Sequence, residues 1–180
     1  QEHNLFGDQW ALRDLRNSVK PTIAAINGLA YGGGMTVALL CDLKIASTEA
    51  QFGTAYLKIG LVPGAGLFQS LIEHVGKAKA IELVYTARDV RAAEALEIGM
   101  VNEMVSPAEL MPRAQELASE LAHGPTRVLG MAKAQMLRLF DYAAEIERES
   151  FEQVIVGDMD ARTEGVKAFQ EKRAPAFGGE

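Results

Sequence analysis

One cysteine, Cys41, is the only thiol in 180 residues. No disulfide can close within the chain, and a reducing compartment suits it. Basic residues are outnumbered, with 18 Lys and Arg against 24 Asp and Glu for a net charge of -6. That balance argues against nucleic-acid binding, which needs extensive phosphate neutralisation, but still allows a local basic site for a phosphorylated small molecule. Histidine is scarce too: His3, His74 and His123 are the only ones. They form no HExxH pair, no Ser-His-Asp order is present, and Cys41 has no evident His partner, so metal binding and nucleophilic triads have no support. The longest uncharged run, Pro21 to Cys41, covers 21 residues, enough to cross a bilayer. Pro21, Asn27 and several glycines interrupt it, and it parses better as strand, loop and buried helix. The N-terminal QEHNLFGDQW lacks the charged-then-apolar order of a signal peptide. The expectation is a soluble, cytoplasmic protein with no membrane segment and no nucleic-acid partner.

What is present is ordinary for a globular protein: 48% hydrophobic and 23% charged residues. A chain of this length fits one domain and buries roughly 70% of its extended surface. DQWALRDLRNSV (8–19) has apolar residues near helical spacing, and Lys20-Pro21 is expected to end that helix. TIAAING (22–28) reads as a strand covered on both faces. A glycine turn and a helix to about Leu40 follow, then a strand at 43–47 and a short strand and loop within 50–61. VPGAG (62–66) reads as a turn. Two helices joined at Gly76, a short helix ending at Gly99 and a strand within 100–105 come next. Ser106-Pro107-Ala108-Glu109 reads as a capping box with Ser at N-cap and Glu at N3. Its helix runs to about His123, where Gly124-Pro125 breaks it. Further helices are expected near 126–140, 142–157 and 160–173. Alternating strand and helix, then helices alone, indicate an α/β domain with a helical C-terminal extension.

The stretch LAYGGGMTVALLCD (29–42) carries the sharpest local signal. Glycines between strand and helix serve either a tight turn and close backbone approach, or anion binding by free amides at the helix N-terminus. The spacing is neither a P-loop nor GxGxxG. Residue pattern alone leaves both readings open.

KPTIAAINGLAYGGGMTVALLCDLKIAS followed by AQFGTAYLKIGLVPGAG resembles the central signature of the enoyl-CoA hydratase/isomerase (crotonase) family. HVGKAKAIELVYTARDVRAAEALEIGMVNEMV and TEGVKAFQEKRAPAF continue the resemblance, which covers nearly the whole chain from Lys20. It implies an α/β fold, a crotonase-like spiral of ββα units at 1–105 with a C-terminal helical trimerisation region at 106–180. It also implies acyl-CoA thioesters as substrates, a homotrimer or hexamer, and no separate cofactor. By the same resemblance the Gly33 amide donates to the thioester oxygen, where an enolate or tetrahedral oxyanion develops. Such a donor is worth about 10²–10³ in rate.

Two departures stand beside the likeness. The family's hydratases place glutamates at the positions of Thr36 and Tyr56, and some isomerases use the position of Gly64; none of these three is an acid here. Thr has no usable proton and a phenol is a poor base at neutral pH, so standard hydration is not expected. Tyr56 is a candidate donor to an enolate, with space-filling as the alternative. Thr36 is a candidate water ligand, with helix capping as the alternative. Residues 1–19 show no match to the family's earlier ββα turns, which supply the first oxyanion donor. The chain therefore reads as lacking the N-terminal third. Lys172, in QEKRAPAF, resembles a lysine that reaches CoA phosphates from a neighbouring subunit; a solvated helix-end cation is the alternative. Asp42 reads as a turn cap, and Asp8, Asp14 and Glu49 as surface charges. His74 and His123 read as structural. The implied function is an acyl-CoA isomerase, lyase or hydrolase working by oxyanion stabilisation; the alternative is a non-catalytic acyl-CoA-binding or assembly subunit.

Overall fold

The computed structural model describes residues 12, 14–54, 56, 66–137, 160–173 and 176. The expected turn at 62–66, Gly64 and the helix expected at 142–157 lie outside or almost outside this set. Two compact units divide the chain: one gathers Thr22–Gln115 with the segment ending at Arg16, the other Asn17–Pro21 with the segment from Glu116.

In the first unit, β1 (Ile23–Ile26), β3 (Leu43–Ser47) and β6 (Glu103–Val105) form a parallel sheet in the order β1-β3-β6. A second sheet has the order β2-β4-β5, with β2 (Leu29–Tyr31) parallel to β4 (Gln51–Gly53) and β5 (Val90–Arg91) antiparallel to β4. Three helices complete it: α1 (Gly33–Leu40), α2 (Leu67–Thr86) and α3 (Ala92–Glu97). α4 (Leu110–His123) carries the boundary between units, and the second unit holds α5 (Thr126–Met136) and α6 (Asp160–Glu171).

The core of the first unit forms where Met35 and Leu39 of α1 meet Leu67, Leu71 and Leu83 of α2 and Phe52 of β4. The buried strand is the middle one, β3, whose residues from Lys44 to Ser47 are all buried; β1 buries only Ile26. Two-sided cover therefore belongs to β3, because among the described residues β1 lies at the edge of its sheet. The sequence reading also ran the first strand straight into the glycines, whereas Gly28 divides it and β2 follows. α2 bends at Gly76 (φ 75°, ψ 161°), at the expected joint.

Two helix ends differ from expectation. The helical residues before β1 stop at Arg16, ahead of the Lys20-Pro21 stop. Ser106 does face Glu109, but its N–H and Oγ both donate to Glu109 Oε2 (3.2 and 2.6 Å). The Glu109 amide goes to the Ser106 carbonyl (3.1 Å), so 107–109 form a turn and α4 starts at Leu110. The first half of α4 stays with the first unit because Leu110 and Ala114 are buried and Arg113 pairs with Glu103 of β6 at 2.9 Å. The division between the two compact units thus falls inside α4.

Phe52, on β4 of the second sheet, is fully buried in the core it shares with α1 and α2. Phe52→Ala should cost about 3–5 kcal/mol, read as a fall in thermal midpoint by circular dichroism.

Candidate functional site

β2 and β4 run in parallel register with Tyr31 opposite Gly53. One residue on, the Gly32 N–H donates to the Gly53 carbonyl at 3.0 Å. Gly32 then adopts φ 51°, ψ -117°, a left-handed turn that only glycine enters cheaply. The Gly32 carbonyl accepts the Thr36 N–H at 3.0 Å and the Thr36 hydroxyl at 3.2 Å. With both its groups engaged, Gly32 is a fixed corner. Gly53 must be bare as well, because the Tyr31 ring lies where its Cβ would stand.

α1 opens immediately afterwards. Gly33 and Gly34 are exposed, and a Cβ on either would meet nothing within 4 Å. As first-turn residues they have no intrahelical acceptor. Among the hydrogen bonds of the described residues outside regular elements, none uses the Gly33 amide. No acidic residue occupies the first turn of α1, so the positive end of the helix dipole is not neutralised from its own side chains. The arrangement can take a negative oxygen.

Tyr56 stands at this corner. Its amide donates to the Thr54 carbonyl at 2.6 Å, and its half-buried side chain packs against the core. The ring edge that bears the hydroxyl faces Gly32: a methyl built there would lie 3.6 Å from Cζ and 3.7 Å from Oη. Thr36 is fully buried, and its hydroxyl donates into the turn. The structure therefore brings Gly33, Thr36 and Tyr56 to one corner, with Thr36 beneath it.

The other candidates lie elsewhere. Asp42 caps the connection from α1 to β3: its Oδ2 accepts the Thr22 amide (2.7 Å) and hydroxyl (2.9 Å). His123 bonds back to the Ser119 carbonyl at 2.6 Å, at the end of α4. Lys172, in the second unit, follows α6 in a left-handed conformation (φ 52°) and is exposed. Beside it Arg173 grips Glu164 at 2.6 Å, and with the Ala176 amide holds that carboxyl down to about 2. Among the described residues no group of three His, Cys, Asp or Glu could hold a metal, and no helix is long and apolar enough to cross a membrane.

The sequence profile of the enoyl-CoA hydratase/isomerase family matches residues 3–180. The chain belongs to that family. Its match begins nearer the N-terminus than the resemblance noted from Lys20. Among curated relatives, YngF of Bacillus subtilis (strain 168) is 43% identical over 165 residues, covering 89% of this chain and 62% of that protein. The short-chain-enoyl-CoA hydratase of Clostridium acetobutylicum is 38% identical over 158 residues, covering 86% and 60%. An enoyl-CoA hydratase/isomerase crystal structure from Cupriavidus metallidurans CH34 superposes with a TM-score of 0.91 at 31% identity, covering 97% of this chain and 66% of that one. The fold is thus the crotonase fold. The chain spans 60–62% of the length of those curated relatives.

Sequence reasoning centred on Gly33 and missed the partners that fix it. The strand glycine in QFG was a usable signal for the close approach of Tyr31 at Gly53; nothing local pointed to the Gly32–Gly53 bond.

Two alanine variants separate the roles of adjacent glycines. Gly32→Ala should destabilise by about 1–3 kcal/mol, because a side chain is strained at that φ. Gly33→Ala should leave thermal stability unchanged or raise it by up to about 1 kcal/mol, while weakening acyl-CoA binding. Circular dichroism melts and titration calorimetry with acetyl-CoA read the two effects.

Proposed function

We propose that this protein binds acyl-CoA thioesters and stabilises negative charge on the thioester oxygen through the Gly33 N–H. The observation that carries this reading is the exposed Gly33 amide, which no described residue engages, next to Gly32, whose N–H and carbonyl are both committed. A donor held in place before charge develops needs no reorganisation during reaction, which is the source of its effect. The chain's relatives support the substrate class, since one bears the name short-chain-enoyl-CoA hydratase.

The acid–base equipment differs from that of a hydratase. Thr36 is buried with its hydroxyl given to Gly32, so it supports the turn rather than holding a reacting water. Tyr56 has its hydroxyl next to the oxyanion corner and serves as donor of a hydrogen bond or proton to an enolate. Isomerisation, decarboxylation or thioester hydrolysis fits this set better than hydration, because each can run on one oxyanion donor and one modest proton donor. No separate cofactor enters such chemistry. Lys172 supplies a mobile cation for CoA phosphates, in a cytoplasmic homotrimer or hexamer. A second reading, a non-catalytic acyl-CoA binder, draws on the burial of Thr36 and the absence of an acid at both positions.

The test incubates the purified chain with a panel of acyl-CoA thioesters and follows products by mass spectrometry. Turnover of at least one member is expected; saturable binding without product leaves only the binder reading, and no binding removes both. Where turnover is found, Tyr56→Phe should reduce it by about 10²–10⁴ with binding little changed. Undiminished turnover would dismiss the phenol as donor.

A further inference from the structure

The opposite end of α1 is held by two bases, buried Lys44 and half-buried His74, that the proposed chemistry does not use. Lys44, on β3, is 3% exposed. Its ammonium has three N–H donors, and three acceptors face it: the Cys41 carbonyl (2.9 Å), the Asp42 carbonyl (3.2 Å) and His74 Nε2 (2.8 Å). Cys41 is the C-cap of α1, so the lysine sits where a cation complements the helix dipole.

The partners fix the protonation pattern. His74 Nδ1 lies 2.6 Å from the Ser70 carbonyl, which only accepts, so Nδ1 carries the hydrogen. Nε2 then presents a lone pair to Lys44, and the imidazole is neutral. A proton added at Nε2 would set an N–H against an ammonium at 2.8 Å, removing the hydrogen bond and creating a repulsion.

Burial, then the Lys44 cation, hold the His74 pKa below the ordinary 6.5. Burial likewise lowers Lys44, with Cys41 and Asp42 opposing. The other charged groups facing His74 are Glu73, beside it on α2, and Arg16, from the helical residues before β1. For Glu73, burial pushes upward, but hydrogen bonds from Arg16 and Gln69 outweigh it and hold the carboxyl below its usual range. Because the folded state depresses His74, its contribution to stability is complete above pH 6.5 and is lost as pH falls through the lower folded value.

We propose that Lys44 and His74 are a positioning pair which clamps the C-terminal end of α1, so that protonating His74 shifts the amides at the helix's other end. The proposal rests on the reading of that N-terminus as the ligand site. The Lys44 backbone is fixed, its amide donating to Asn102 Oδ1 (2.8 Å) and its carbonyl accepting the Asn102 amide (2.9 Å). Asp42 is tied to Thr22. The group that gains freedom on release is therefore the Cys41 carbonyl with the last turn of α1. An eight-residue helix is only about 12 Å long and moves as a rod, so a change at one end reaches Gly33 at the other.

The experiment needs no ligand: amide spectra of ¹⁵N-glycine-labelled protein are recorded from pH 7.5 to 5, alongside the His74 ring resonances. Gly33 and Gly34 amides should shift with the midpoint of the His74 ring, below 6.5. In His74→Gln, whose side-chain oxygen can still accept from Lys44, that step should vanish. In Lys44→Met the His74 midpoint should rise. A His74 ring that titrates while the glycine amides stay still would overturn the proposal, as would an unchanged glycine step in His74→Gln. Should His74→Gln fail to fold, the wild-type spectra and Lys44→Met decide. Absence of acyl-CoA binding would sink the functional reading without touching these shifts.

Discussion

The structure of the site depends on one hydrogen bond, from the Gly32 amide to the Gly53 carbonyl at 3.0 Å. It extends the parallel pairing of β2 with β4 by one residue and stops the chain at a defined point. From there the backbone must reverse into α1, which Gly32 allows by taking a positive φ. The Tyr31 ring lies over the bare Gly53, closing the same junction from the side. Its hydroxyl accepts from Gln51 Nε2 at 2.6 Å, which also donates to Asp89 ahead of β5 at 2.8 Å. The three strands of the second sheet are tied together beside the corner.

That corner sets the polarity of α1. Met35, Ala38, Leu39 and Leu40 are buried, so packing against α2 fixes the helix's roll and leaves Gly33, Gly34 and Val37 outward. A first-turn amide is unsatisfied by helix geometry alone. Here it is also exposed and without a neutralising acid in its turn, so the strand pairing ends in a group able to meet a negative oxygen. At the other terminus the carbonyls turn inward to a buried ammonium. One eight-residue helix thus has a donor end open to solvent and an acceptor end closed by the protein.

Much of the fold was legible in the sequence. Gly76 and Gly99 punctuate helices where expected, and LKIAS is a strand over the full span read for it. The family signature gave the fold that the comparisons then bore out. Edge against centre was not legible: TIAAI and LKIAS have similar apolar content, and only strand order decides which is buried. The strand Leu29–Tyr31 was hidden because three residues carry too little periodicity to separate from the run before Gly28. Of the candidate site, Gly33 and Tyr56 were named from the resemblance, and the structure places them at one corner. The Lys44–His74 pair escaped notice because its members are 30 positions apart and meet only in the folded chain. A lone lysine in a strand gives no sign that it will be buried.

The most direct measurement is a titration of ¹⁵N-glycine-labelled protein with acetyl-CoA, compared with CoA itself, following the Gly33 amide. The two ligands differ at the thioester carbonyl. A downfield shift of the Gly33 proton with acetyl-CoA, absent with CoA, is the result expected if this amide receives the thioester oxygen. Saturable binding of acetyl-CoA that leaves the Gly33 resonance unmoved would contradict it.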